Sequence, residues 1–209
     1  MTVSGRQIVV WRHGSTTWNK ERRFQGSSDL PLDEDGVRQA EAAAVTLQKL
    51  DPSILVTSDA VRARQTAGPL ALRCGLEPVL EPRLREADLG AWEGMTREQV
   101  VQSFPDEYAA WRQGTDVRRG GGETNVQVAA RAEAAIAELL TVLKEGQTMV
   151  VVTHGGTARA TLGRLLCLDT ASWRHLGTLG HGRWATLTER SFGWRLAEFN
   201  ARPRPSSHD

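Results

Sequence analysis

The chain has 209 residues, 26 Lys and Arg against 25 Asp and Glu, and a net charge of +1, so it suits one domain, taken as residues 1–201, and not two. The balanced charge argues against nucleic acid or an anionic membrane as partner, leaving any affinity for anions to a local cluster of arginines. No apolar run reaches transmembrane length, no signal pattern opens the chain, and Cys74 and Cys167, each within an apolar helical-looking segment, read as reduced, buried thiols of a cytoplasmic protein.

Ile8-Val9-Val10-Trp11 has the length and β-branched content of a buried strand and delivers Arg12-His13-Gly14 to the turn at its carboxyl end. A short polar loop, Ser15 to Asn19, follows, and then an extended loop from Glu21 to Asp35 that carries Gln25 and Gly26. Asp33 reads as the N-cap of a helix with Val37, Ala40, Ala44, Leu47 and Leu50 on its apolar face. Asp51-Pro52 ends it, and Ile54-Leu55-Val56 predicts a second strand. Thr57-Ser58-Asp59 is suited to capping the next helix, which carries Arg62, Arg64, Leu70 and Leu72, with a kink or break expected at Gly68-Pro69.

Pro78-Val79-Leu80 predicts a strand near the sheet edge, and Leu84 to Gly94 a glycine-punctuated loop bearing Glu86 and Trp92. Two short helices are expected at Arg97–Ser103 and Asp106–Gln113, then a turn at Gly120-Gly121-Gly122. Thr124 or Asn125 caps a helix with Ala129, Ala132, Ile136, Leu139 and Leu143 facing inward. Met149 to Thr153 is another strand, and it delivers His154-Gly155-Gly156 to a helix through Ala158, Leu162, Leu165 and Leu166. Trp184–Leu187 and Trp194–Phe199 are the last strands, and the Pro- and Ser-rich residues 202–209 read as a disordered tail. Strands alternating with helices predict a three-layer α/β/α sandwich with a mostly parallel central sheet.

Two strand-ending histidines, each followed by glycine, point to one site built on two neighbouring strands, since chemistry in parallel α/β sheets gathers at carboxyl strand ends. The polar residues expected there are Arg12, His13, Ser58, Asp59, Arg62, Glu86 and His154. Two arginines and two histidines converging on one edge make an oxyanion pocket, most naturally for phosphate. The chain lacks a G-x-x-x-x-G-K-[ST] loop and any metal-ligand spacing, so a metal-free phosphate pocket is expected, with no cofactor. Histidine can act there as phosphoryl acceptor and as donor to phosphoryl oxygens.

Arg12-His13-Gly14 with Trp18-Asn19 resembles the R-H-G-x-x-x-W-N signature of the histidine phosphatase superfamily, whose fold is phosphoglycerate mutase-like. Four further segments match its landmarks in order: Ser58 to Ala63 with Gln65-Thr66-Ala67, Leu84-Arg85-Glu86 to Gly94, Gly121 to Thr124, and Thr153 to Gly156. The resemblance implies a phosphatase in which His13 attacks phosphorus, with its other ring nitrogen donating to a backbone carbonyl. By it Arg12, Arg62 and His154 hold the phosphoryl oxygens, and Glu86 is the general acid, held partly protonated near neutrality by a low-dielectric pocket. Asn19, Gln25, Gly26, Gly155 and His181 are implied as further phosphate or substrate contacts. Glu93 reads as structural, Arg64 as facing solvent or paired with an acidic side chain, and the seven tryptophans as mostly core, with Trp92 and Trp111 as candidate walls on the substrate side.

Ser15 departs from the Glu or Gln usual after R-H-G. Arg118 and Arg119 offer either a reader of a second anionic group or a solvated basic loop. The stretch from Gly94 to Gly120 is short, unlike the longer segment of cofactor-dependent mutases, which favours hydrolysis of a small-molecule phosphate ester over mutase chemistry, and the presence of His13, Arg12, Arg62, Glu86 and His154 together argues against mere binding. Gly121 to Thr124 leading into Val128 to Arg131, Trp173 to Trp184, and Gly193 to Leu196 with Phe199 to Ala201 are similar to segments of actinobacterial glucosyl-3-phosphoglycerate phosphatases, with other phosphate esters such as a ribazole phosphate left open. Homodimers are common in this fold, so a homodimer is a further expectation.

Overall fold

The computed structural model describes residues 5–203. In chain order its strands and helices are β1 (Gln7–Arg12), α1 (Thr17–Lys20), α2 (Glu34–Leu47), β2 (Pro52–Thr57), α3 (Val61–Cys74), β3 (Val79–Leu80), α4 (Arg97–Ser103), α5 (Pro105–Gln113), α6 (Asn125–Leu140), β4 (Thr148–Thr153), α7 (Gly155–Leu165), β5 (Trp184–Arg190) and β6 (Gly193–Ala201). The six strands form one sheet in the order β3-β2-β4-β1-β5-β6. The first four strands of that order run parallel, and β5 and β6 add antiparallel at the far edge.

Alternation within β1 builds both faces of the core. Ile8 and Val10 join Met149 and Val151 beneath Ile136 of α6 and Leu162 of α7. Val9 and Trp11 join Val150 and Val152 against Ala43, Leu47, Ala67 and Leu70 of α2 and α3 on the other face. A third cluster lies beyond the carboxyl ends of the parallel strands, where Trp92, Val100, Val128 and Trp173 pack with Phe24, Tyr108 and Trp111. It forms a wall over the place where β1 and β4 end.

Several local expectations change. The proline does not break α3, which runs unbroken through Pro69. The carbonyl four residues earlier belongs to exposed Gln65, so water can donate the hydrogen bond that proline cannot. The cap of α3 is not its own polar cluster: Asp29 from the preceding loop accepts from the Val61 amide at 2.7 Å, while Asp59 pairs with Arg85. Val37 is half exposed and Ala43 is buried in its place. Cys167 is exposed and Cys74 only part-buried, which corrects the expectation of two buried thiols. Residues 202 and 203 are irregular, and the remainder of the expected tail lies outside the described residues.

Candidate active site

β1 and β4 are adjacent and in register, with Arg12 opposite Thr153, so His13 and His154 leave the sheet side by side. The His13 amide donates to the Thr153 carbonyl at 2.9 Å, and the two imidazole centroids lie 5.0 Å apart. Gly14 lets the chain turn tightly at that edge. A Cβ there would run into the Gly36 backbone in the first turn of α2, and Gly36 is constrained in return by the Ser15 backbone.

His13 is buried, and its Nδ1 lies 2.6 Å from the Gly14 carbonyl oxygen. A carbonyl only accepts, so Nδ1 carries the proton and Nε2 keeps its lone pair. Burial, then the neighbouring charges of His154, Arg62 and Arg12, hold the His13 pKa well below the ordinary histidine value. The imidazole is therefore neutral and ready as a nucleophile.

Arg12 donates through Nη1 to the Leu179 carbonyl at 2.6 Å and through Nη2 to His181 Nε2 at 2.8 Å. Its Nε is buried without a partner. Burial lowers the Arg12 pKa to about 10 even though Glu86 works in the opposite sense, so the guanidinium stays charged. His181 accepts from Arg12 and is neutral, with burial and the Arg12 charge lowering its pKa to about 4.

Arg62, 1% exposed, is fixed by three bonds: Nη1 to the Ser28 carbonyl at 2.6 Å, Nη2 to the Gly26 carbonyl at 2.9 Å and Nε to His154 Nδ1 at 3.1 Å. His154 Nδ1 is thus an acceptor, and its Nε2 donates to Ser58 Oγ at 2.9 Å. Both ring nitrogens of His154 are occupied. In this arrangement it orients Arg62. Asn19 likewise uses its Oδ1 on the Thr16 amide and hydroxyl, which leaves its NH2 group for the cleft.

Glu86 sits against the N-terminus of α7. Gly156 donates to Oε2 at 2.8 Å, while the amides of Thr157 and Ala87 donate to Oε1, each at 3.0 Å. Burial pushes the carboxyl pKa up, but those amides and the charges of Arg119 and Arg12 outweigh it, and the net shift is downward. The expectation of a carboxyl partly protonated near neutrality is therefore corrected for the ligand-free protein: Glu86 is a carboxylate there. Gly156 is needed because a Cβ would sit 2.7 Å from Glu86 Oε1.

These groups line one cleft of about 270 Å3, which holds Arg12, His13, Gln25, Arg62, Glu86 and Arg119. Three of its residues keep a buried nitrogen donor unpartnered, at Arg12 Nε, Gln25 Nε2 and Arg119 Nε. Leaving such donors unpaired costs free energy unless a ligand supplies acceptors. An oxyanion supplies them. Among the described residues Glu86 is the one acidic group lining the cleft, against five arginines, so the local field favours a dianion. Among the described residues no group of three His, Cys, Asp or Glu side chains is arranged to hold a metal ion.

Of the other residues singled out from the sequence, Gly26 lends its carbonyl to Arg62, and Gly155 packs against the Arg12 guanidinium. Glu93 accepts from the Ser27 amide and from both the Ser27 and Ser28 hydroxyls, which shapes the loop bearing Gln25 and Gly26. Ser15 accepts a structural place too, donating to Asp33 at 3.0 Å. Arg119 faces the cleft while Arg118 and Arg64 are exposed. Trp111 walls the cleft, but Trp92 is wholly buried in the third cluster.

Sequence reasoning passed over Arg131. Its guanidinium donates to both oxygens of Glu123 and to the carbonyls of Arg83, Arg85 and Glu86, clamping the loop that presents the Glu86 carboxylate. Nearly two turns into α6, it was visible only as the end of the Val128 to Arg131 segment, with no role assigned. Arg159, which lines the cleft without an ion-pair partner among the described residues, was also missed.

Comparison with known proteins agrees with this geometry. Residues 8–202 match the model of the histidine phosphatase superfamily, branch 1. A glucosyl-3-phosphoglycerate phosphatase of Mycobacterium tuberculosis is 38% identical over 98% of this chain and 99% of its own. A protein of Enterobacter sp. named probable phosphoglycerate mutase GpmB is 38% identical over 81% of this chain and 79% of its own. The structure of a mycobacterial glucosyl-3-phosphoglycerate phosphatase in complex with VO3 superposes with a TM-score of 0.89 at 41% identity, covering 94% of this chain and 99% of that one. The expected fold and the expected phosphatase relationship both hold, and the chain belongs to the histidine phosphatase superfamily, branch 1.

Proposed function

We propose that this protein hydrolyses the phosphate monoester of a small anionic metabolite through a phosphohistidine on His13. The observation that carries the reading is His13 itself, with Nδ1 tied to the Gly14 carbonyl and Nε2 left basic in a cleft of arginines. Arg12, Arg62 and Arg119, with the Gln25 and Asn19 amides, receive the phosphoryl oxygens and stabilise the charge that develops on them. Gly26, Gly155, His154 and His181 hold these groups in place.

The chemistry follows from the ionisation of the site. A bound phosphate takes up the charges of Arg12 and Arg119 that keep Glu86 ionised, so the buried carboxylate gains a proton as the ester binds. Nε2 of His13 then attacks phosphorus, the P–O ester bond breaks, and Glu86 gives its proton to the leaving oxygen. In the second half Glu86 takes a proton from water, the water oxygen attacks phosphorus, and the P–N bond breaks with its electron pair returning to Nε2.

The substrate of the mycobacterial relatives, glucosyl-3-phosphoglycerate, is the proposed substrate type, supported by near-complete coverage of both chains. A cytoplasmic location belongs to the same proposal, supported by two free cysteines and by the absence, among the described residues, of a helix long and apolar enough to cross a membrane. A single domain is supported by the family match to residues 8–202, and a homodimer rests on the family resemblance.

The test is a metal-free panel of phosphate esters followed for free phosphate and for isomerised product, with His13→Ala beside the wild type. Phosphate release that His13→Ala abolishes supports the proposal, and no release from any ester overturns it. The probable-mutase name of one relative keeps a second reading in the same assay: isomerisation that needs a bisphosphoglycerate primer would assign mutase chemistry instead.

A further inference from the structure

A second cavity of about 260 Å3 adjoins the catalytic cleft, lined among others by Trp111, Thr115, Asp116, Asn125, Arg159 and Trp173. Trp111 and Arg159 line both spaces, so their side chains form the partition between them. Arg159 projects from α7 one turn past Gly155, is half-buried, and makes no ion pair or side-chain hydrogen bond among the described residues. Arginines elsewhere around the site are tied down: Arg85 to Asp59, and Arg131 to Glu123. Arg159 also stands near enough to Arg119 for its charge to disfavour protonation of that guanidinium. Two cations line the same cleft here, and Glu86, the one carboxylate lining it among the described residues, is already held by the amides of Gly156, Thr157 and Ala87. Such a pairing is stabilised when an anion bridges it.

The second cavity differs in character from the first. It offers the indoles of Trp111 and Trp173 beside the hydroxyls of Thr115 and Thr170 and the amide of Asn125, with no buried carboxylate free to repel a ligand. Asp116 is already engaged, accepting from the Asn125 and Val126 amides. Aromatic faces beside small polar groups suit a polyhydroxylated ring, whose C–H faces stack and whose hydroxyls bond.

We infer that the substrate spans both spaces: its phosphate lies in the cleft, a carboxylate bridges Arg119 and Arg159 at the junction, and a bulky hydroxylated group fills the Trp111–Trp173 cavity. This deepens the proposed function and rests on it. Arg159 is then the specificity-determining residue, separating carboxylate-bearing esters from simple ones.

The test compares three esters on one enzyme: p-nitrophenyl phosphate, 3-phosphoglycerate and glucosyl-3-phosphoglycerate. Arg159→Gln is expected to lower kcat/KM for the two carboxylate-bearing esters, relative to p-nitrophenyl phosphate, by about tenfold to a hundredfold, mainly through KM. Arg159→Lys, which keeps the charge without the planar fork, recovers part of the loss. Thr170→Trp, which fills the second cavity, lowers kcat/KM for glucosyl-3-phosphoglycerate more than for 3-phosphoglycerate. A ratio among the three esters that neither Arg159→Gln nor Thr170→Trp changes overturns the inference while leaving the phosphatase reading intact. A wild-type enzyme inactive on all three overturns the phosphatase reading itself.

Discussion

Replacing Arg131 by Met keeps the length of the side chain and removes five hydrogen bonds, two to Glu123 and one each to the carbonyls of Arg83, Arg85 and Glu86. A bond involving a charged group contributes about 1.5–3 kcal/mol net, yet these five share one guanidinium and do not add. The pair is also one-fifth to one-quarter exposed, at 20% and 27%, so water recovers part of the loss. A total near 3 kcal/mol is the reasonable figure, and in a chain of this size it lowers Tm by roughly 6–12 °C. Because the lost bonds include the Glu86 carbonyl, the acid also loses its position, and kcat is expected to fall about tenfold or more. KM for p-nitrophenyl phosphate moves less, since Arg12 and Arg62 have other supports. Thermal melting and steady-state kinetics on the same preparation measure both effects, with Glu123→Gln as a milder companion. A variant that melts within about 2 °C of wild type, or that loses stability with kcat intact, would refute the idea that Arg131 holds the general acid.

Other perturbations have equally definite outcomes. Glu86→Gln cannot transfer a proton, and its NH2 cannot accept from an amide as the second carboxylate oxygen does, so kcat falls about 10²–10⁴-fold while inorganic phosphate still binds; kcat within threefold of wild type would remove Glu86 from the acid role. His13, His154 and His181 all have lowered pKa values, the last to about 4, so between there and the ordinary value near 6.5 the unfolded chain binds more protons than the folded one. Stability is therefore fully present above about pH 6.5 and declines as pH falls through that window, and urea melts at pH 7.5 and 5.5 should differ more for wild type than for His181→Gln. Gly36→Ala drives a methyl into the Ser15 backbone and should cost about 1–3 kcal/mol with reduced activity, whereas an unchanged melt would mean that the loop after His13 is free to move.

The sequence was most informative where chain-local physics decides the outcome. β1 and β4 were legible as apolar runs, and their histidines as strand-end residues, because burial on both faces demands those runs. Residues that act through distant partners were not legible. Nothing near Arg62 predicts that it would hold the Gly26 and Ser28 carbonyls and turn His154 into a support. Asp29 caps a helix that begins 32 positions later in the chain, and Arg131 reaches back 45 positions to Glu86. Pro69 misled because the helix rule counts the missing hydrogen bond but not that Gln65, whose carbonyl loses its partner, is an exposed residue. For Glu86 the expectation of a raised pKa followed burial alone. The amides of Gly156 and Thr157 at the start of α7, about 70 residues away, help the Ala87 amide and the charges of Arg119 and Arg12 to reverse it.

The central claim is that His13 Nε2 carries the phosphoryl group between the two half-reactions. A 32P-labelled ester mixed with the enzyme and quenched in alkali within milliseconds, followed by peptide mapping, tests it directly. The account predicts acid-labile, alkali-stable label on His13, attached at Nε2 because Nδ1 is committed to the Gly14 carbonyl, and none in His13→Ala. Label on another residue, label at Nδ1, or full turnover with no labelled enzyme under conditions where phosphorylation is the faster step would contradict it.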